Sequence, residues 1–216
     1  MEKPNWWLLL LPSIVLLNLV GLYKVIESSQ YAKVHAKPDF EVRLYVNSTW
    51  MSTPVNELSF EKATLFVFNR LFQYIQGANL NYLRIAVIVP VVTSIVPGDT
   101  KLTAEVRFYL PVKHQADLPV PLDELHLKPY AWDSHCVAVR KFSRYAKDEN
   151  IAEEAKRLAD SLSRSPWANL SSTESNYSYS IVQYDSPFQF IGRTNEMWAD
   201  IKVSGADGCK SSGITF

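Results

Sequence analysis

What most restricts this chain is an order that occurs twice: an extended segment, an amphipathic helix, then more extended segments. "DFEVRLYV", Asp39 to Val46, alternates Phe40, Val42, Leu44 and Val46 with Glu41, Arg43 and Tyr45, the period-two signature of a half-buried strand. A helix is expected from Phe60 to Gln76. Ser59 precedes it as a cap, Gly77 follows it, and Lys62 stands where a capping box would place Glu. Leu83 to Val96, Leu102 to Val112 and His135 to Phe142 are β-branched or aromatic runs ended by turn residues, and are expected as strands. The link from Lys113 to Ser134 carries Pro119, Pro121 and Pro129 and reads as extended, with room for one short strand. A second helix is expected from Glu149 to Ser163, with Asp148 as its cap and Ile151, Ala155, Leu158 and Leu162 on one face. "YSIVQYD" and "EMWADIKV" follow as strands. The order implies an α+β fold with two similarly built halves and a mostly antiparallel sheet, although no sequence repeat relates them.

The first helix carries more apolar surface than a core contact needs. At about 100° per residue, Phe60, Ala63, Val67, Leu71, Tyr74 and Ile75 form one arc, and Leu65, Phe68 and Phe72 form a second beside it. Together they span about 200°, against the roughly 100° of an ordinary core-facing stripe. Either the surrounding structure covers this helix deeply, or the second arc lines a cleft that an apolar ligand completes.

Lys+Arg and Asp+Glu are equal at 22 each, so the electrostatic footprint of a nucleic-acid binder is missing. Hydrophobic positions make up 47% of the 216 residues and charged ones 20%, which excludes a disordered chain and supports one self-sufficient core.

Trp6 to Tyr23 is a charge-free apolar run between Lys3 and Lys24. Pro12 and Asn18 weaken it as a membrane span, so residues 1–28 read as a secretory signal peptide, or as an anchor attaching the chain to a membrane if retained. The small residues offered for cleavage are Gly21 and the Ser28–Ser29 pair. N-x-[ST] triplets at Asn47, Asn169 and Asn176 are glycosylation candidates on that route, to the cell exterior or the vacuole. Cys136 and Cys209 could pair in an oxidising compartment. The Gly- and Ser-rich tail from residue 204 to 216 argues instead for two free or only incidentally paired thiols.

Catalysis finds little footing. There is no G-x-S-x-G, Gly-rich phosphate loop, H-E-x-x-H or C-x-x-C. His35, His114, His126 and His135 are scattered, and His135 and Cys136 would point to opposite faces of a strand. The chain therefore reads as a non-enzyme.

"DFEVRLY", the helix ending "YIQGAN", "VRFYLP", "VAVRKFS" and above all "YDSPFQFIGRTNEMW" (Tyr184 to Trp198) resemble the SOUL heme-binding protein family, in particular its plant secretory members. The resemblance runs from Tyr31 to Val203. It implies a distorted antiparallel β-barrel of two β-α-β-β halves flanked by two helices, acting as a monomeric carrier or buffer that binds heme or another tetrapyrrole in an apolar cleft. The family's cleft positions fall on Leu65, Phe68, Phe72 and Gln73. The loop with Gln189, Phe190 and Arg193 supplies the opposite wall, Arg193 approaching a propionate.

The chain departs from the family at three places. Gln189 replaces a commonly basic residue, Leu44 stands where some members carry a histidine, and "IAVIVPV" (Ile85 to Val91) replaces "IPMTAPV". These departures imply reversible binding through apolar burial without strong axial ligation of iron. The alternative they open is a scaffold that keeps the fold and has lost the ligand.

Overall fold

The computed structural model describes residues 27–57, 59–86, 89–95, 102–168, 179–185, 189, 191–202 and 209. The leader, Asn169, Asn176, Phe190 and most of the tail lie outside the described residues. Nine strands and two helices follow one another in the order β1 (Tyr31–Ala36), β2 (Glu41–Tyr45), β3 (Ser48–Glu57), α1 (Phe60–Ile75), β4 (Val91–Ile95), β5 (Leu102–Tyr109), β6 (Lys128–Trp132), β7 (His135–Ser143), α2 (Asp148–Ser163), β8 (Tyr179–Gln183) and β9 (Thr194–Ile201). Every pairing is antiparallel, and the strands form one sheet in the order β1-β2-β7-β9-β8-β4-β5-β3-β6.

That order contains the duplication the sequence pattern suggests. The unit β3-α1-β4-β5 has its strands arranged β4-β5-β3, and the unit β7-α2-β8-β9 has them arranged β8-β9-β7. The two units meet where β4 pairs with β8 around Thr93 and Ile181. β6, at one edge, is joined to β7, third from the other edge, by Asp133 and Ser134 alone. So short a link forces the sheet to curl into a half-barrel, since β6 and β7 would stand far apart in a flat one. Ring contacts show the curl directly: Trp132 of β6 stacks on His135 at 4.4 Å and lies 6.5 Å from Trp198 of β9.

Both helices pack on the outer face. Ala63 and Val67 of α1 meet Val55 and Val106, and Leu71, Tyr74 and Ile75 meet Met51 and Phe108. Ile151, Leu158 and Leu162 of α2 cover Val42, Leu44, Ala138 and Met197. The helix starts are tied together: the Phe60 N–H donates to Asp148 Oδ1 at 2.9 Å and the Asp148 N–H to Glu61 Oε2 at 3.2 Å. Asp148 is thus the first residue of α2 and caps the neighbouring helix. Lys147 holds the α2 N-cap position, its N–H donating to Asn150 Oδ1.

Several expectations change. β1 and β3 were not foreseen, because "STWMSTPVNE" is polar and contains Pro54. The fold tolerates that proline since β6 pairs only with Ser48 to Ser52, leaving Pro54 at an edge. The long strand expected from Leu83 shortens to Val91–Ile95. Its beginning folds back on α1 instead: Asn79, fully buried, exchanges hydrogen bonds with Leu83, and the Ile85 N–H donates to the Ile75 carbonyl. β2 is buried on both faces, not one, with Arg43 1% exposed.

The two cysteines are joined. Cys136 and Cys209 form a disulfide with Cα atoms 5.9 Å apart, which places Cys209 in the core beneath α2. The Gly- and Ser-rich tail argued for free thiols, but composition does not register that one tail residue reaches the outer face of β7. At the other end, the Glu27 carbonyl accepts from Val89 N–H and its carboxylate from Val112 N–H. The ordered fold therefore includes residues 27 and 28.

Candidate functional site

α1 has its shape for ordinary reasons. The Ser59 hydroxyl accepts from the Lys62 N–H at its start, and Gly77 ends it with φ of 116°, a conformation in which a side chain would be strained. Phe60, Ala63, Val67, Leu71, Tyr74 and Ile75 are its buried residues, the whole of the first arc. The second arc faces outward. Leu65 is 55% and Phe72 49% exposed, Phe68 is half-buried, and the Phe68 and Phe72 rings stack with centroids 6.1 Å apart. Exposed Leu and Phe side chains one and two turns apart make a continuous apolar stripe.

Gln73 does not share it. Successive residues are separated by about 100° around a helix, so Gln73, which is exposed, lies beyond the stripe. Phe66, 43% exposed, lies two turns before Gln73 on the same flank, beneath the Arg70 guanidinium, 4.2 Å from its ring centre.

The loop that leads into β9 has its own organisation. Arg193 is 5% exposed, its guanidinium sits 4.3 Å from the Tyr145 ring centre, and Nη1 donates to the Gln189 carbonyl at 2.9 Å. The Tyr145 hydroxyl donates to the same carbonyl. Arg193 thus holds the loop against the entry to α2. The Gln189 side chain is exposed and donates to the Ile191 carbonyl, and Ile191 is 88% exposed. Leu44 points into the core with Cys136 and Ala138.

On the concave face lies a constellation that sequence reading missed. Arg43 and Glu196, 1% and 3% exposed, form a two-pronged ion pair, Nη1 to Oε2 at 3.0 Å and Nη2 to Oε1 at 2.8 Å. Glu196 Oε2 also accepts from the Tyr184 hydroxyl and the Trp198 indole N–H, each at 2.9 Å. Arg43 Nε donates to Glu41, and its guanidinium lies 4.3 Å from the Tyr31 ring centre. Burial alone would lower the Arg43 pKa, but the hydrogen bonds and charge of Glu196 raise it overall. Tyr184 is pushed far up by burial and by the Glu196 carboxylate, and Tyr45 by burial. Both phenols stay protonated at neutral pH. One signal in the sequence could have found this cluster: alternation in "EMW" sets Glu196 and Trp198 on one face of a strand whose other face, through Met197, is core.

Among the described residues, no group of three or more His, Cys, Asp or Glu could hold a metal ion, and no helix is long and apolar enough to cross a membrane.

Residues 26–200 match the family model for SOUL heme-binding protein. Heme-binding protein 2 of Mus musculus is 28% identical to this chain over 163 residues, covering 74% of this chain and 76% of that protein, and its Homo sapiens counterpart aligns with the same identity and coverage. Heme-binding protein 1 of Xenopus tropicalis is 29% identical over 163 residues, 74% of this chain and 82% of that one.

Proposed function

The chain belongs to the SOUL heme-binding protein family, and from that premise we propose that it binds heme or another tetrapyrrole on the outward arc of α1, as a carrier or buffer and without chemical turnover. The observation that carries this reading is the exposure of Leu65 and Phe72 beside the stacked Phe68. A flat apolar macrocycle laid on that stripe removes it from water at about 25 cal/mol per Å², less the cost of immobilising the ligand. Leu44 is core, so binding rests on burial and reversible contact without strong axial ligation. The proposed site is then Leu65, Phe68 and Phe72, with Gln73 at its margin; the family resemblance adds the loop of Gln189 and Arg193, whose neighbour Phe190 lies outside the described residues.

Absorbance titration of the chain with hemin and with metal-free protoporphyrin tests the proposal. Both should bind saturably and within about tenfold of each other, a difference of ~1.4 kcal/mol. A preference for hemin of about a thousandfold, ~4 kcal/mol, would show that iron ligation dominates.

A second reading is a scaffold that keeps the fold without the ligand. It is favoured by the neutral Gln189 and by the engagement of Arg193 with Tyr145 and the Gln189 carbonyl, which leave the loop without an obvious propionate partner. Lack of saturation with either porphyrin would select it.

The Cys136–Cys209 pairing supports a secretory route, because disulfides persist in oxidising compartments. Asn47, exposed in the link between β2 and β3, is open to a glycan. On this reading, product from a secretory host shifts in mobility after endoglycosidase treatment, and an unchanged band rejects the route.

A further inference from the structure

We infer that the concave face carries a second binding site, for a neutral polyhydroxylated molecule of about monosaccharide size. The cavity there measures about 360 Å³, at the small end of the range that ligand pockets occupy. Ser28 and Ser29, which precede β1, form one side, and Tyr184 with Glu196 forms another. This site is separate from the α1 stripe, which lies on the outer face of the sheet.

The lining selects the ligand's chemistry. The Tyr184 hydroxyl spends its proton on Glu196 and so offers lone pairs to a ligand. Glu196 Oε1 accepts from Arg43 Nη2 and, with two lone pairs, has capacity for another donor. Asp185, whose Oδ2 takes the Thr194 N–H at 2.6 Å, adds a second carboxylate, while Lys141, 3.8 Å from Glu41 Oε1, brings an ammonium that is 57% exposed at the rim. The serine and threonine hydroxyls can act in either sense.

Charge on this wall is balanced. Arg43 neutralises Glu196 from behind, and Asp185 and Lys141 contribute one charge of each sign. A charged ligand therefore gains no net attraction from this wall and loses hydration on entering it. A hydroxyl group donates and accepts at once and carries no such cost. The tyrosine rings of Tyr31 and Tyr184 provide the apolar faces against which the C–H side of a polyol ring can rest.

The test uses the full chain with glucose and myo-inositol as neutral probes, and glucosamine and glucose 6-phosphate as charged ones, read by saturation-transfer NMR and by titration of tryptophan fluorescence. At least one neutral probe should bind saturably at millimolar concentration, with both charged probes about tenfold weaker or more. Tyr184→Phe, which keeps the ring and removes the acceptor, should weaken the neutral probe about tenfold. Lys141→Ala, at an exposed position that leaves the fold intact, should weaken it measurably too. Prior saturation with protoporphyrin should not alter the polyol affinity, so failure here and failure of the tetrapyrrole reading are distinguishable. Saturation by none of the four probes, tighter binding of a charged probe, or unchanged binding in both variants would overturn the inference.

Discussion

The units β3-α1-β4-β5 and β7-α2-β8-β9 share one plan and differ in what their helices show to solvent. Each helix has 16 residues and buries one stripe against its own strands. α2 faces water with Glu149, Glu153, Lys156, Arg157 and Asp160, and Arg157 reaches both Glu153 and Glu154. α1 also exposes Glu61, Lys62, Asn69 and Gln73, but among them it faces water with Leu65, Phe66 and Phe72. A fold that needed apolar cover outside its helices would need it on both. The difference supports the proposed binding role of the α1 surface, since a purely structural helix would be expected to show water the charged face that α2 does. The ion pair on the concave face makes the second contrast: it joins β2 to β9 and leaves α1 untouched.

The strongest way to break that comparison is Arg43→Ala. It leaves the Glu196 carboxylate buried without its cation, which should cost about 3–5 kcal/mol of stability, read by denaturant melts. A loss below about 1 kcal/mol would mean that water replaces the guanidinium there. Next come paired truncations of the helices. Leu71→Ala in α1 and Leu158→Ala in α2 should each cost about 2–5 kcal/mol, whereas Phe72→Ala should stay within about 0.5 kcal/mol of the parent. Equal losses at Leu71 and Phe72 would erase the distinction between the two arcs.

Phe68→Asp sharpens the functional side. A carboxylate on the stripe would have to lose its hydration against an apolar plate, near anionic propionates. Porphyrin titration should therefore show no saturable binding, while the thermal midpoint moves little, the stability cost being about 1 kcal/mol or less. Normal binding in a folded variant would place the cleft elsewhere.

The smallest expected effect is on acid stability. Burial lowers the pKa of His135 at the start of β7, of His114 after β5 and of His35 in β1. The unfolded chain then takes up protons more readily than the folded one. Their contribution is complete above the ordinary histidine pKa of about 6.5 and declines as pH falls below it. Melts between neutral and mildly acidic pH should show this decline, and His135→Gln should flatten it relative to the parent chain. Equal slopes would remove His135 as a cause.

What the sequence determined by itself is what depends on local period and on termini. The 3.6-residue spacing of Phe60 through Ile75 separated the buried arc of α1 from the outward one, since each residue's direction around a helix follows from its number. Ser59 and Gly77 bounded it as cap and stop, period-two alternation found β2, and β-branched or aromatic runs ended by turn residues found β5 and β7. Tertiary structure decided the rest, because the partners involved are distant in the chain. β3 is a strand because β5 and β6 supply its hydrogen bonds, despite Pro54 and its polar residues. The start of the expected Leu83 strand turns away because Asn79 clamps it to the end of α1. Cys209 reaches Cys136 across 73 residues. Arg43 and Glu196 are 153 apart, with Tyr184 and Trp198 turned toward the same carboxylate. Read singly along the chain, each is an ordinary polar residue in a strand. Only the curl of the sheet, which folds one face inward and removes its water, makes an arginine on β2 and a glutamate on β9 depend on each other.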